Sequence, residues 1–206
     1  KEDTKDVSTV TTPASITLKG DQTVYVIQGQ QYVDSGAVVT NGKLVKTTGT
    51  VLNTVPGSYS IKYIAANNDG VLYTATRTVT VLQLGDGSLD LSGTYFGGRG
   101  SVPVPAPVTI TKIAQGVFKV SDFFAEYYEV KRGLGATYTA PGLLTYLGNN
   151  IAIMPVDASS PWGPINIVKK YIKISQDTNG KISMQYFIMT TADQSAFPGP
   201  FYLNQQ

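Results

Sequence analysis

Residues Pro56–Leu82, PGSYSIKYIAANNDGVLYTATRTVTVL, decide the fold class. Pro56 and Gly57 end the preceding segment. Tyr59, Ile61, Tyr63 and Ala65 then alternate with Ser58, Ser60, Lys62 and Ile64, the two-residue period of a half-buried strand. Asn67, Asn68, Asp69 and Gly70 tolerate the positive φ of a tight turn, and alternation resumes with Val71, Tyr73, Ala75, Val79 and Val81 against Thr74, Thr76, Thr78 and Thr80. The stretch is predicted to be a long antiparallel hairpin. Arg77 falls on the apolar parity of its return strand, which calls for a bulge or for a guanidinium snorkelling at the rim.

Upstream, strands are expected at Ile16–Lys19, Thr23–Ile27, Ala37–Thr40 and Lys43–Leu52, with an Asn41-Gly42 turn. About seven strands in some 70 residues is sandwich spacing. The first 14 residues, KEDTKDVSTVTTPA, are polar and aperiodic, and read as a tether. Downstream of Leu82, Gly85, Gly87 and Gly93 break the alternation, so residues 86–90 read as a linker. Thr94–Phe96 then begins a second β-rich region, and GGRGSVPVPAP is expected to be a loop with an exposed edge, since proline cannot donate to a ladder. Hairpins are predicted for Pro107–Ile113 with Gly116–Ser121, and for Ile165–Ser175 with Lys181–Met189. The segment Asp122–Val130, DFFAEYYEV, reads either as a strand or as a short helix.

Thr, Val, Tyr and Ile dominate the 206 residues and no long window carries a helical period, so the chain is predicted to be all-β. The expected architecture is an N-terminal immunoglobulin-like β-sandwich (15–85) followed by a C-terminal β-sandwich or small β-barrel (91–206). Cysteine and histidine are both absent. That removes thiolate and imidazole ligands, the cysteine nucleophile and the usual base of a serine triad. The net charge is +2, and its densest basic clusters are the isolated pairs Lys131-Arg132 and Lys169-Lys170. Nucleic acid would need a continuous basic stripe, so it is not an expected partner.

The segments QGQQYVDSGAVVTNG (28–42), VPGSYSIKYIAANNDG and TATRTVTV resemble the bacterial surface Ig-like domain family. Gly29, Tyr32, Asp34, Gly36 and Ala37 match its G-x-x-Y/F-x-D-x-G-A segment. Pro56, Gly57, Tyr59, Tyr63, Ala65 and Gly70 match the hairpin that follows. The remainder, including LSGTYFGGRG and VTITKIAQGVFKVSDFFAEYYEVKRGLGATY, is similar to the uncharacterised C-terminal domain that follows such a module in Bacteroidetes-type surface lipoproteins. The resemblance implies display at the cell surface on the outer membrane, with a lipidated cysteine preceding Lys1. Lys1-Glu2-Asp3 fits the acidic export signal of those proteins. No activity is implied.

Trp162, the sole tryptophan, lies in the loop SSPWGP (159–164). Either it plugs the end of the barrel core, or it offers a flat face to a sugar, whose axial C–H groups pack on an indole while its hydroxyls bond nearby polar groups. Phe123, Phe124, Tyr127 and Tyr128 form a second aromatic cluster. If extended, Phe123 and Tyr127 share one face and Phe124 and Tyr128 the other, so at least one of these pairs is expected in the core and the opposite pair in a groove, with Tyr138 and Tyr146 as neighbours. Glycosidase chemistry needs two carboxylates about 5–9 Å apart, and Asp122, Glu126 and Glu129 fit that role less well than a surface one. Asp86, Ser88 and Asp90 imitate half of a calcium loop without its Gly or distal Glu, so no metal and no cofactor is expected. With the surface display that the resemblance implies, the sequence points to a non-catalytic protein whose C-terminal domain binds a ligand, a glycan in the leading reading, through Trp162, Tyr127, Tyr128, Tyr138 and Tyr146. The alternative is a structural or adhesive subunit that docks to a partner surface protein.

Overall fold

A computed structural model describes residues 11–168 and 171–206, so most of the expected tether, including Lys1-Glu2-Asp3, and the Lys169-Lys170 pair lie outside the described residues. The chain divides into two compact units, Lys1–Gln83 and Leu84–Gln206.

Among the described residues the first unit has six strands, β1 (Ser15–Leu18), β2 (Thr23–Ile27), β3 (Ala37–Thr40), β4 (Gly42–Thr48), β5 (Gly57–Asn67) and β6 (Leu72–Leu82). β1 and β3 form a two-stranded sheet. The other sheet has the order β2-β6-β5-β4, in which β2 runs parallel to β6. The β5–β6 hairpin pairs continuously from Gly57↔Val81 to Ala66↔Leu72, with no bulge. At its tip the Asn67 side-chain oxygen accepts the backbone N–H groups of Asp69 (3.1 Å) and Val71 (2.8 Å), and Gly70 takes φ 82°. Side-chain-to-backbone bonding of this kind is why asparagine favours turns. Val26, Ile61, Tyr63 and Val79 form the core, with Ile16, Leu18 and Val51 packed against it.

Arg77 corrects the rim expectation. It is 1% exposed, faces inward from a regular ladder, and is neutralised inside the unit by Asp34. Its Nε donates to the Asp21 carbonyl (3.0 Å), one terminal nitrogen to Asp34 and to the Tyr63 hydroxyl (3.0 Å), and the other to the Lys19 and Gly36 carbonyls. Asp34 also accepts the hydroxyls of Tyr32 (2.9 Å) and Tyr63 (2.7 Å). Burial pushes its carboxyl up, but these donors and the guanidinium outweigh it and hold Asp34 below the usual range. The Tyr63 hydroxyl is pushed up to about 12, by burial first and by the Asp34 carboxylate second. A buried charge persists only when it is paired and hydrogen-bonded. This is the physical content of the Tyr32-x-Asp34-x-Gly36 spacing.

The second unit adds β7 (Gly93–Arg99), β8 (Val102–Ala114), β9 (Val117–Val120), β10 (Gly142–Gly148), β11 (Ile151–Ile153), β12 (Ile165–Ile167), β13 (Ile172–Gln176), β14 (Ile182–Tyr186), β15 (Ile188–Thr190) and β16 (Phe201–Gln205). Eight of these close a barrel in the order β10-β11-β13-β14-β16-β7-β8-β9, while β12 and β15 form a separate two-stranded sheet. The long pairing predicted for Ile165–Ser175 with Lys181–Met189 is thus split between β13–β14 and β12–β15. Closure removes the sheet edges. Inward side chains such as Tyr95, Ile110, Phe118, Leu144, Ile172, Met184 and Phe201 fill the interior.

The prolines of GGRGSVPVPAP do not lie in a loop but inside β8. A register shift between Phe96↔Pro107 and Gly97↔Val104 absorbs Pro105 and Ala106, and among the described residues β9 begins to pair with β8 only at Ile110. The stretch 102–107 therefore needs donors on one side only, which tolerates proline. Asp86 and Asp90 are turn residues, each accepting the backbone N–H two positions on, from Ser88 (2.7 Å) and Ser92 (2.9 Å). Asp86 also donates its own N–H to the Tyr146 carbonyl (2.7 Å), so part of the expected linker is bonded to the barrel.

Candidate functional site: an aromatic face at one end of the barrel

The DFFAEYYEV segment caps the barrel end where β7 and β9 finish and β10 and β16 begin. Neither a strand nor an ordinary helix, it is a turn followed by a single π-helical turn, Tyr127–Lys131. Asp122 organises it. Its buried carboxylate accepts the N–H groups of Phe124 (2.9 Å), Glu126 (2.8 Å) and Ala140 (2.7 Å). Burial nevertheless pushes this carboxyl up. The Tyr186 hydroxyl, rising from inside the barrel, donates to the Phe123 carbonyl (2.9 Å). Ala125 and Glu126 take φ 52° and 58°, a left-handed pair that turns the chain and leaves Tyr127 and Tyr128 half-buried against the edge of the core. Glu126 is pushed up to about 7 by burial first, then by the charges of Asp122 and Glu129.

Phe123 and Phe124 are buried, and they anchor the cap. Trp162 lies against it and is 42% exposed, so it does not plug the barrel. Its ring centroid is 4.6 Å from Tyr128, 5.4 Å from Tyr138, 5.6 Å from Phe124 and 5.7 Å from Phe197, in tilted or edge-to-face contacts. Such pairs add about 0.5–1.5 kcal/mol each beyond area burial. The loop carrying Trp162 is closed by the Ala158–Ile165 bridge and by the Ser160 hydroxyl donating to the Gly163 carbonyl (2.7 Å). Tyr127 extends the face through Tyr128, at 5.2 Å. Tyr146 does not join it. Its side chain is 4% exposed and belongs to the barrel core, because its position in β10 directs it inward.

Arg99, at the end of β7, was not anticipated. Its Nε donates to the Pro198 carbonyl (2.6 Å) and a terminal nitrogen to the Tyr128 hydroxyl (2.7 Å), while the guanidinium lies 5.2 Å from the Tyr127 ring and 5.6 Å from Tyr128. Cation–π contact and hydrogen bonding together fix both tyrosines. Beside Trp162 a cleft of about 330 Å³ is lined by Thr190, Asp193, Ser195, Ala196, Phe197 and Pro198. Phe197 was legible in one respect: Phe197-Pro198-Gly199-Pro200 repeats the aromatic, proline and glycine chemistry of Pro161-Trp162-Gly163-Pro164. Among the described residues no group of histidine, cysteine, aspartate and glutamate is arranged to hold a metal ion. The site can pack flat apolar faces and bond hydroxyls.

A two-sheet Ig-like unit and a closed barrel with an aromatic cap define a two-domain all-β protein. Comparison with known families agrees. Residues 16–81 match the family of the bacterial surface protein Ig-like domain, and residues 85–197 match a family of C-terminal domains. The chain belongs to this C-terminal-domain family, here behind a bacterial surface Ig-like domain, which makes it a bacterial cell-surface protein of the kind its sequence resembles. Among solved structures it is similar to the crystal structure of the lipoprotein BT2262 from Bacteroides thetaiotaomicron, with 24% identity over 93% of this chain and 100% of that one and a TM-score of 0.41. No curated protein matches.

Proposed function

We propose that this is a non-catalytic, lipid-anchored protein of the outer membrane, in which the Ig-like unit acts as a spacer and the barrel unit binds an extracellular glycan on the face made by Trp162, Tyr128, Tyr138 and Tyr127. One observation carries the reading: the sole tryptophan stays 42% exposed although four aromatic rings hold it in place. An exposed indole with a fixed orientation loses little conformational freedom on binding, which is the advantage of preorganisation. Sugars present complementary apolar and hydroxyl faces to it.

Titration of the intact protein with an oligosaccharide panel, followed by Trp162 fluorescence and by calorimetry, tests the proposal. Binding is expected, with loss of at least tenfold in affinity for Trp162→Ala. That variant should cost about 2–3 kcal/mol of stability, less than the roughly 3–5 of a fully buried aromatic because the indole is 42% exposed. Absence of heat and spectral change across the panel would remove the glycan, and release of new reducing ends would remove the non-catalytic part. A docking role is the second reading. It is favoured by β4, an edge strand of its sheet that exposes Leu44 and Val45, since an unpaired edge is a template for another chain.

A further inference from the structure

The cleft beside Trp162 is lined by two chemically different sets of side chains. Trp162, Ala196, Phe197 and Pro198 are apolar; Thr190, Asp193 and Ser195 are polar. The loops that carry them are tied together. The Thr191 N–H donates to the Pro164 carbonyl (2.9 Å), joining the Asp193 loop to the Trp162 loop, and Thr190 N–H to the Ser195 carbonyl (2.9 Å) closes the Asp193 loop on itself. Asp193 is held in one orientation, because its Oδ1 accepts both the Thr190 hydroxyl and the Ser195 N–H (3.0 Å). Asp193 is exposed, and a carboxylate has about four acceptor sites, so these bonds leave acceptor capacity open to the cleft. The Thr190 and Ser195 hydrogen bonds also hold this carboxyl down, to about 2, so it is ionised throughout the neutral range. Arg99, the cation of the aromatic face, is already engaged by Tyr128 and Pro198.

We infer that this cleft is a subsite for one uncharged pyranose unit, whose neighbouring hydroxyls donate to Asp193 while its apolar face packs on Trp162. The inference rests on the glycan-binding reading of Trp162 and narrows it. The volume of about 330 Å³ lies at the small end of the range for ligand pockets, roughly 300–1,000 Å³, so the cleft suits a sugar unit rather than a length of chain. A carboxylate acceptor bonds hydroxyls strongly. The same charge repels a sugar acid, so the subsite discriminates by sign as well as by shape.

The test compares neutral oligosaccharides (cello-, manno-, xylo- and malto-series) with oligogalacturonates on the intact protein, on Trp162→Ala and on Asp193→Asn. Asparagine keeps the Oδ1 acceptor that Thr190 and Ser195 use, so the loop should persist, and an unchanged melting temperature checks this. The wild type is expected to bind a neutral series at least tenfold more tightly than the uronates. Asp193→Asn should weaken the neutral sugar about tenfold and narrow the gap to the uronates. Wild-type-like neutral binding by Asp193→Asn, or uronate binding as tight as neutral binding, overturns the subsite. If Trp162→Ala still abolishes binding in that case, the glycan reading stands without it. Neutral binding unaffected by Trp162→Ala overturns both.

Discussion

Arg77 stands where alternation demands an apolar side chain, and the first unit meets the charge with a partner 43 residues away. Removing one member of a buried pair costs more than the pair contributes, because the other charge is left stranded. Arg77→Met should therefore destabilise the first unit by about 2–3 kcal/mol, discounted from the fully buried case because Asp34 reaches solvent. Asp34 is held below its ordinary value, so its contribution is present above the unfolded carboxylate range near pH 4 and is lost as pH falls through the lower folded value. Acid titration of Asp34→Asn, followed by circular dichroism, should show a weaker loss of stability below pH 4 than the wild type. The positions Tyr32, Asp34, Gly36 and Tyr63 were legible as a spacing. Their convergence on Arg77 was not, because a two-residue period says which way a side chain points and not what faces it across the sandwich.

At the scale of elements, the cap shows how one buried acceptor can replace regular structure. Asp122 satisfies three backbone donors that no ladder serves, and an unsatisfied buried donor costs about 1–3 kcal/mol. Asp122→Ala should destabilise the second unit by about 3 kcal/mol or more, or release the cap locally. Either outcome is visible as a red-shifted Trp162 emission and as faster amide exchange at Phe124, Glu126 and Ala140. DFFAEYYEV was ambiguous because it follows neither a two-residue nor a 3.6-residue period, and the left-handed pair Ala125-Glu126 explains why. Most hairpins, by contrast, were readable from alternation and turn residues. The Asp177–Gly180 turn is one case, with Asp177 accepting the N–H groups of Asn179 (2.8 Å) and Lys181 (2.9 Å). The prolines of β8 misled because the rule against them holds only where both sides of a strand are paired.

Each unit of the whole molecule has its own hydrophobic core. A protein comprising residues 84–206 alone should fold cooperatively and keep the Trp162 emission of the intact chain. A red-shifted spectrum or a non-cooperative melt would show that its core is insufficient. That both units are β-rich was legible from composition and period. Which strands are neighbours was less so, since closure joins elements distant in sequence: β7 pairs with β16, Tyr95 lying opposite Gln205. The platform was partly legible, in Trp162, Tyr127, Tyr128 and Tyr138. Arg99, Asp193 and Phe197 come from other strand ends and meet only once the barrel is complete.

β16 is the last staple in chain order, sitting between β14 and β7. As the polypeptide emerges N-terminus first, seven staves can gather but the cylinder stays unsealed until residues 201–205 arrive, so a product cut short before them would leave two raw edges exposed to proteases and to other chains.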